Sequence, residues 1–343
     1  MRVLIIGAGI AGLCTAWALQ RRGAAVVVLE AGPMPNANGF SAWPAPVADP
    51  WQPHLAAARP AAAAALGAWV DIALDVDARL LAGVGVLALG LEQVPAQPDP
   101  ITGAEPLIVV EARRRCRALA IEADERGAAT PSGGLLRADV ALAALTAELR
   151  AQGAEIHQRT AVARLDFEGA GVETVAGTRF DADWVIVTAG AGTRALWPDL
   201  AAGWSLAHRP VDFLLAPDSS ADIWDAAPVV MDAAAPGGVV HIARMPADVG
   251  NLALIGPVGG QTRPWHAVSR RFRSPENYLL RSALDLPCLS LGDARIGLRH
   301  TGQLVGLALD PEAGFFLAPL AGQAIADLVY GETTSEEIAS LFG

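Results

Sequence analysis

The sequence contains no lysine: all 25 of its basic residues are arginine. That absence excludes any mechanism running through a lysine Schiff base, pyridoxal phosphate chemistry included, and it excludes a P-loop, whose phosphate-binding lysine belongs to the motif. Cysteine is scarce too. Cys14, Cys116 and Cys288 show no CxxC spacing, so they give neither a disulfide framework nor a zinc site, and the six histidines supply no HExxH pair. No metal centre is expected. Long apolar runs are also missing: the longest uninterrupted one, Leu80 to Leu91, spans 12 residues, short of the roughly 20 a membrane-spanning helix needs, and it reads as a buried strand. The N-terminus enters a β-branched run and a glycine turn directly, without the successive regions of a signal peptide, so a cytoplasmic location is expected. A net charge of −11 argues against nucleic acid or an anionic membrane surface as partner.

With 343 residues, 52% of them hydrophobic, the chain can bury a large core and form one large domain or two ordinary ones; a globular enzyme is the default class. Val3 to Ile6 is an apolar run suited to a buried parallel strand. Residues 10 to 22 then carry apolar side chains at helical spacing, closed by Gly23, and a second apolar run, Val26 to Leu29, ends at Glu30. Between strand and helix lies GAGIAG. Gly7 suits the tight turn, Gly9 lets the backbone approach a pyrophosphate, Gly12 lets helix and strand pack closely, and the free N–H groups of the helix start point at the phosphates. Glu30, 18 residues beyond Gly12, would accept a ribose 2′-hydroxyl and repel a 2′-phosphate. The unit therefore predicts NAD or FAD rather than NADP.

Two later stretches decide between these: Pro131 to Ile156, with GGLLRADVALAAL at 133–145, followed by ADWVIVTAGAGTRAL at 182–196, with WVIVTAGAGTRAL at 184–196; and AGFFLAPLAGQAIADLVYGE at 313–332, with GFFLAPLAGQAIADLVYGE at 314–332. An NAD dehydrogenase completes its nucleotide site in the N-terminal half, whereas this chain returns to the cofactor twice more. Together with GAGIAG, Glu30 and the GLR at 297–299, these stretches run in order over the whole chain, which resembles the FAD-dependent amine and amino-acid oxidoreductases of the D-amino acid oxidase, glycine oxidase and sarcosine oxidase superfamily.

The resemblance implies an α/β fold: a Rossmann-like FAD-binding domain of the GR2 type, discontinuous over residues 1–80, 131–203 and 290–343, with an inserted mixed or antiparallel sheet at 81–130 and 204–289 that roofs the flavin and forms the substrate pocket. It places Gly7, Gly9, Ile10, Ala11 and Gly12 at the pyrophosphate, and Glu30 and Ala31 at the adenosine ribose. Ser41, Ala42 and Trp43 fall on the pyrophosphate and flavin side, Val162 at the adenine, Ala189 and Gly190 near the pyrophosphate, and Gly314, Phe315, Phe316 and Leu317 at the flavin. Cys288 matches no attachment motif, so a noncovalent flavin is expected.

Oxidation of a C–N bond by flavin asks the protein for a neutral amine, an aimed α C–H and a positive field at the reduced ring. A helix starting near Leu317 to Pro319, with proline at its first position, is read as the source of that field. Arg299 is the expected clamp for a substrate carboxylate, because a guanidinium binds one through two parallel hydrogen bonds. His241 and Arg244, in GVVHIARMP, fall on the strand that resembles the family's pocket-lining strand; His241 either orients a polar group of the substrate or is a core histidine. The segment from His54 to Leu80 reads as helix broken at Pro60. The expected reaction is hydride transfer from an amine or amino acid to flavin N5, giving an imine. Oxygen or another redox partner takes up the electrons, and the missing lysine favours a dehydrogenase. An NAD(P)H-linked flavin monooxygenase and a flavin-binding subunit of a larger complex are the alternatives.

Overall fold

The computed structural model describes residues 1–36, 39–42, 46–217, 223–224, 227–245 and 252–343. Consecutive apolar residues at Val3 to Ile6 form a strand covered on both faces, as a central parallel strand requires. This strand, β1 (Arg2–Ile6), sits inside a six-stranded sheet of order β19 (Ile296–Thr301), β20 (Leu304–Leu309), β13 (Trp184–Val187), β1, β2 (Ala25–Leu29), β9 (Glu155–His157). All neighbours are parallel except β19 and β20. Alternate side chains serve opposite faces. Val3, Ile5, Val26, Val28, Ile186 and Val305 pack under α1 (Ile10–Arg21), α2 (Arg59–Asp75), α4 (Ala138–Ala151) and α7 (Gly314–Val329). Leu4, Ile6, Val27, Leu29, Val185 and Val187 pack under the three-stranded sheet β10 (Val162–Asp166), β11 (Gly171–Thr174), β12 (Arg179–Asp181) and Trp197.

A second sheet has eight strands in the order β18 (Leu279–Ser290), β14 (Ser205–Leu215), β17 (Leu252–Ile255), β16 (Val240–Arg244), β15 (Val229–Asp232), β5 (Val86–Leu89), β7 (Gly127–Thr130), β6 (Glu105–Pro106). It is antiparallel except where β15 meets β5. Its outer face, with Leu87, Val230, Ile242 and Leu254, lies under α3 (Val109–Arg115), α6 (Pro264–Val268) and the cluster of Trp224, Phe272 and Tyr278. The inner face carries Val86, Met231, Ala243, Ile255 and Leu286, which pack on Phe40, Val47 and Trp51. A small sheet, β3 (Val47–Ala48), β8 (Gly134–Leu136), β4 (Leu81–Ala82), joins the two parts; α5 (Thr193–Leu196) follows β13, and α8 (Ser335–Phe342) follows α7.

Local expectations are corrected in three places. The run Leu80 to Leu91 is two strands, β4 and β5, because Gly85 turns the chain at φ +79°. The break expected at Pro60 falls just before it, where the 3-10 turn Pro53–Ala58 gives way to α2 at Arg59, and Pro60 sits in the first turn of α2, where a residue has no intrahelical use for its N–H. α7 begins at Gly314, so Pro319 lies inside the helix, where its ring removes one backbone bond. The Phe316 carbonyl accepts the Trp69 indole N–H at 2.8 Å, and Trp69 stacks on Phe315 with an interplanar angle of 2°. The segment Leu55–Asp75 is long and apolar enough for a membrane span, with mean hydropathy 1.2, but Ala61, Ala65, Trp69 and Ile72 bury it against the core.

Asp49 is fully buried after β3, accepting the Trp51 N–H at 3.0 Å, and burial pushes its carboxyl from 3.8 up to about 6. A raised carboxyl favours the folded state only while protonated, so its contribution is complete below pH 3.8 and is lost as pH rises through about 6. Asp49→Asn should therefore gain up to about 3 kcal/mol over wild type above that range, at roughly 1.36 kcal/mol per unit, and nothing in acid. Urea denaturation at both pH extremes reads this out.

Candidate FAD site

The site begins at the turn between β1 and α1. Gly7 holds φ +104°, and a Cβ there would come within 2.6 Å of the Thr188 carbonyl oxygen; Gly12 presses so closely on the turn that its Cβ would lie 2.0 Å from the Gly7 carbonyl oxygen. The Thr188 hydroxyl donates to the carbonyls of Ile6 and Gly7 at 3.0 and 3.2 Å, so the ends of β1 and β13 are held together. Gly9 caps α1 with no side chain, and the Ser41 hydroxyl accepts the Ile10 N–H at 3.0 Å. The first turn of α1 carries no acidic residue, so the N–H groups beyond the one Ser41 takes can face an anion.

Glu30, buried at the end of β2, organises the next segment. One carboxylate oxygen accepts the Ala8 N–H at 2.8 Å, and the other accepts the Gly32 N–H at 2.9 Å and the Asn36 amide at 2.8 Å. A carboxylate offers about four acceptor positions, so three are used and one is left for a hydroxyl.

A cavity of about 530 Å³ runs along the C-terminal ends of the parallel strands, the place where open α/β sheets bind ligands. At one end are Glu30, Ala31 and Thr160 to Val162; in the middle are Gly7 to Ala11, Ser41 and Thr188 to Gly192; at the other are Pro287 to Leu289, Leu307 to Pro311, Gly314 and Phe315. Its outline suits an elongated dinucleotide. The only charged side chains among its described lining residues are Glu30 and Asp310, and Asp310 is paired with Arg295 at 2.8 Å. A pyrophosphate would therefore rest on backbone N–H groups. These residues fit FAD: a carboxylate at the ribose position, a glycine cradle at the helix start, and an apolar chamber beyond it.

Of the residues singled out from the sequence, Gly7, Gly9, Ile10, Ala11, Glu30, Ala31, Ser41, Val162, Ala189, Gly190, Gly314 and Phe315 line this cavity. Gly12 lies behind the turn, and Ala42 closes the short helical turn Phe40–Ala42. Phe316 and Leu317 point into the core between α7 and its neighbouring helices, and Trp43 lies outside the described residues. Sequence reasoning missed Pro287 to Leu289 and Leu307 to Pro311. Cys288 is among them: burial pushes its thiol up to about 11, against the pull of the Arg209 guanidinium, which keeps it a neutral wall residue.

The three residues proposed for substrate do not come together. His241 is buried on the inner face of the eight-stranded sheet, its Nδ1 3.4 Å from the Arg209 guanidinium, whereas Arg244 is exposed at the other end of β16. Arg299 is exposed on β19, the edge of the six-stranded sheet, where it donates to the Asp199 carbonyl at 3.0 Å. β19 runs antiparallel to β20, so its start, Ile296, pairs with Leu309 at the cavity, and Arg299 lies three positions further down, paired with Gly306. A carboxylate clamp at Arg299 is therefore replaced by a surface role. Arg299→Met is expected to leave kcat/KM within about two-fold of wild type, the range of an ordinary surface substitution, on charged and uncharged substrates alike.

The sequence matches the family described as FAD dependent oxidoreductase (DAO) over residues 2–286. No curated protein matches it. Among solved structures, fructosyl peptide oxidase from E. terrenum superposes with a TM-score of 0.81 at 17% identity, covering 99% of this chain and 91% of that one. Glycine oxidase from Geobacillus kaustophilus gives 0.76 at 20% identity, covering 97% and 96%. NikD, an unusual amino acid oxidase essential for nikkomycin biosynthesis, gives 0.76 at 21% identity, covering 99% and 96%. At these identities the superpositions establish a shared fold, and the family match extends over most of the sequence. The chain belongs to the FAD dependent oxidoreductase (DAO) family.

Proposed function

We propose that the protein oxidises a C–N bond of a small amine or amino acid to an imine. The observation that carries this reading is the cavity's form: a dinucleotide groove whose far end, at the start of α7, is walled by Pro287 to Leu289 of β18 and by Leu307 to Leu309. When bound there, FAD supplies the acceptor for a hydride from the carbon beside the substrate nitrogen. The chain's own contribution is binding, orientation and field. N–H groups at the start of α1 hold the pyrophosphate, Glu30 the ribose, and the strand end at Val162 the adenine.

Gly314 and Phe315 place the positive end of α7, which has no acidic residue in its first turn, at the far end of the cavity. A helix dipole favours negative charge there by about 0.3–1 kcal/mol when exposed and more when buried. Pro287, Leu289, Leu307 and Phe315 give that end of the cavity apolar walls, so a small substrate is held there with little water between. Near-attack orientation of this kind can lower a barrier by roughly 7–11 kcal/mol. The reaction asks for no paired carboxylates, and the described cavity lining offers none. The described lining also carries no cation, which supports an electron acceptor other than oxygen. Peroxide formed as fast as the flavin is reduced would overturn that last point.

The test is a panel of D- and L-amino acids, N-methyl amino acids, cyclic imino acids and simple amines, mixed anaerobically with the holoenzyme. At least one member should bleach the visible flavin band. Bleaching by NADH or NADPH and by no amine would favour a monooxygenase instead.

A further inference from the structure

Arg209 lies on β14, away from every sequence motif, and is 7% exposed. Its Nε donates to the Gly256 carbonyl at 2.9 Å, its Nη1 to the Pro311 carbonyl at 3.0 Å, and its Nη2 lies 3.4 Å from His241 Nδ1. Gly256 and His241 belong to the substrate-side sheet and its margin; Pro311 belongs to the turn that launches α7 and lines the cavity. One rigid fork therefore joins the two halves of the molecule directly behind the cavity wall.

The turn itself is heavily tied. Asp310 accepts the Glu312 N–H at 3.0 Å and pairs with Arg295, the Val258 N–H donates to Glu312 at 3.3 Å, and the Gly314 N–H donates to the Asp310 carbonyl at 2.6 Å. Arg209 is the side-chain tie that reaches it from β14, next to the edge of the second sheet. Among the described residues no carboxylate lies within ion-pair distance of the guanidinium. Asp310 and Glu312 offset its burial from further off, and burial draws its pKa below the usual arginine value. A buried cation left with carbonyl partners costs stability, and here that cost falls at a joint between substrate roof and α7.

We propose that Arg209 is a positioning residue that fixes the N-terminus of α7, and with it the helix's positive end, against the flavin ring and the substrate roof. The proposal rests on the reading that FAD occupies the cavity. A lysine cannot reproduce it: an ammonium keeps the charge but cannot span Gly256, Pro311 and His241 with a planar fork.

The experiment compares wild type, Arg209→Lys and Arg209→Met as holoenzymes, with sulfite as the probe. Sulfite adds reversibly to oxidised flavin as an anion, and its affinity reports the positive field at the ring without needing a substrate. Expected for Arg209→Met are unchanged FAD content, sulfite affinity lowered at least about ten-fold, and kcat lowered up to about 100-fold, the scale of a misplacement near 1 Å, with KM moved much less. Arg209→Lys should recover only part of either loss. Three outcomes overturn the proposal: wild-type sulfite affinity and kcat in Arg209→Met, full recovery in Arg209→Lys, which would make charge and not geometry the cause, or loss of fold and FAD in both variants, which would make the role structural. A wild-type protein that takes up no FAD would instead remove the underlying reading, and is seen before any variant is compared.

Discussion

Gly12→Ala is expected to yield a protein that retains almost no FAD. The added Cβ would stand 2.0 Å from the Gly7 carbonyl oxygen and 2.7 Å from the Thr188 hydroxyl. Neither neighbour can retreat cheaply. The Gly7 N–H is bonded to the Leu29 carbonyl at 2.8 Å and the Thr188 N–H to the Ile6 carbonyl at 2.9 Å, so moving either one disturbs the ends of β1, β2 and β13 together. Overpacking typically costs about 1–3 kcal/mol and more against rigid backbone. Here relief comes by tilting α1 away, which also withdraws the N–H groups that hold the pyrophosphate. At about 1.4 kcal/mol per tenfold, affinity for FAD should fall on the order of 100-fold or more. Gly9→Ala is the complementary case: its Cβ would meet the Ser41 side chain, the hydroxyl at 3.1 Å, so the turn is spared and any loss of FAD comes from filling the space where the backbone approaches the pyrophosphate. Titration of the apoprotein with FAD, read by quenching of flavin fluorescence, measures both. Equal affinities for Gly12→Ala and wild type would show that the turn does not hold the cofactor.

Arg271→Met should destabilise the protein by about 3–5 kcal/mol without affecting FAD affinity. The guanidinium joins Asp232 through Nε and Nη2 at 2.8 and 3.0 Å, and Glu125 through Nη1 and Nη2 at 2.5 and 3.2 Å. Asp232 is fully buried and the Glu125 side chain nearly so, with 7% exposure. Removing the arginine strands two carboxylates out of water, and the penalty of an uncompensated buried charge is what sets the magnitude. That is a large share of a typical total of about 5–15 kcal/mol. The effect should resist added salt, since a pair shielded from solvent is screened little. Calorimetric or denaturant unfolding gives the loss, and a native-state FAD titration should match wild type. A variant within about 0.5 kcal/mol of wild type would mean the network is energetically neutral.

The parts of the site legible in the sequence are those built locally. Gly7, Gly9, Gly12 and Glu30 belong to one strand, turn, helix and strand, and each residue's job follows from backbone geometry over about 30 positions. Val162, Ala189 and Gly190 lie far along the chain, and only the resemblance brought them to the same cavity. Pro287 to Leu289 carried no local sign, because they reach the cavity through the pairing of β18 with β14 in a different sheet. Arg299 misled for a related reason: the motif-like GLR identifies a strand, but only the pairing with β20 shows how far down that strand the guanidinium sits. Arg209 was invisible because an arginine in a strand reads as surface until the Pro311 turn folds over it. Pro60 and Pro319 show the weakness of proline as a local signal: one opens a helix, and the other is tolerated inside one that is buried nearly all round.

Anaerobic stopped-flow mixing of the FAD-loaded protein with the amine and amino-acid panel decides whether this DAO-family flavoprotein oxidises a C–N bond. The visible flavin band should bleach with at least one amine or amino acid, in a single turnover that saturates with substrate and yields one imine, or its hydrolysis product, per flavin. A flavin reduced promptly by NADH or NADPH and left oxidised by every amine would contradict it.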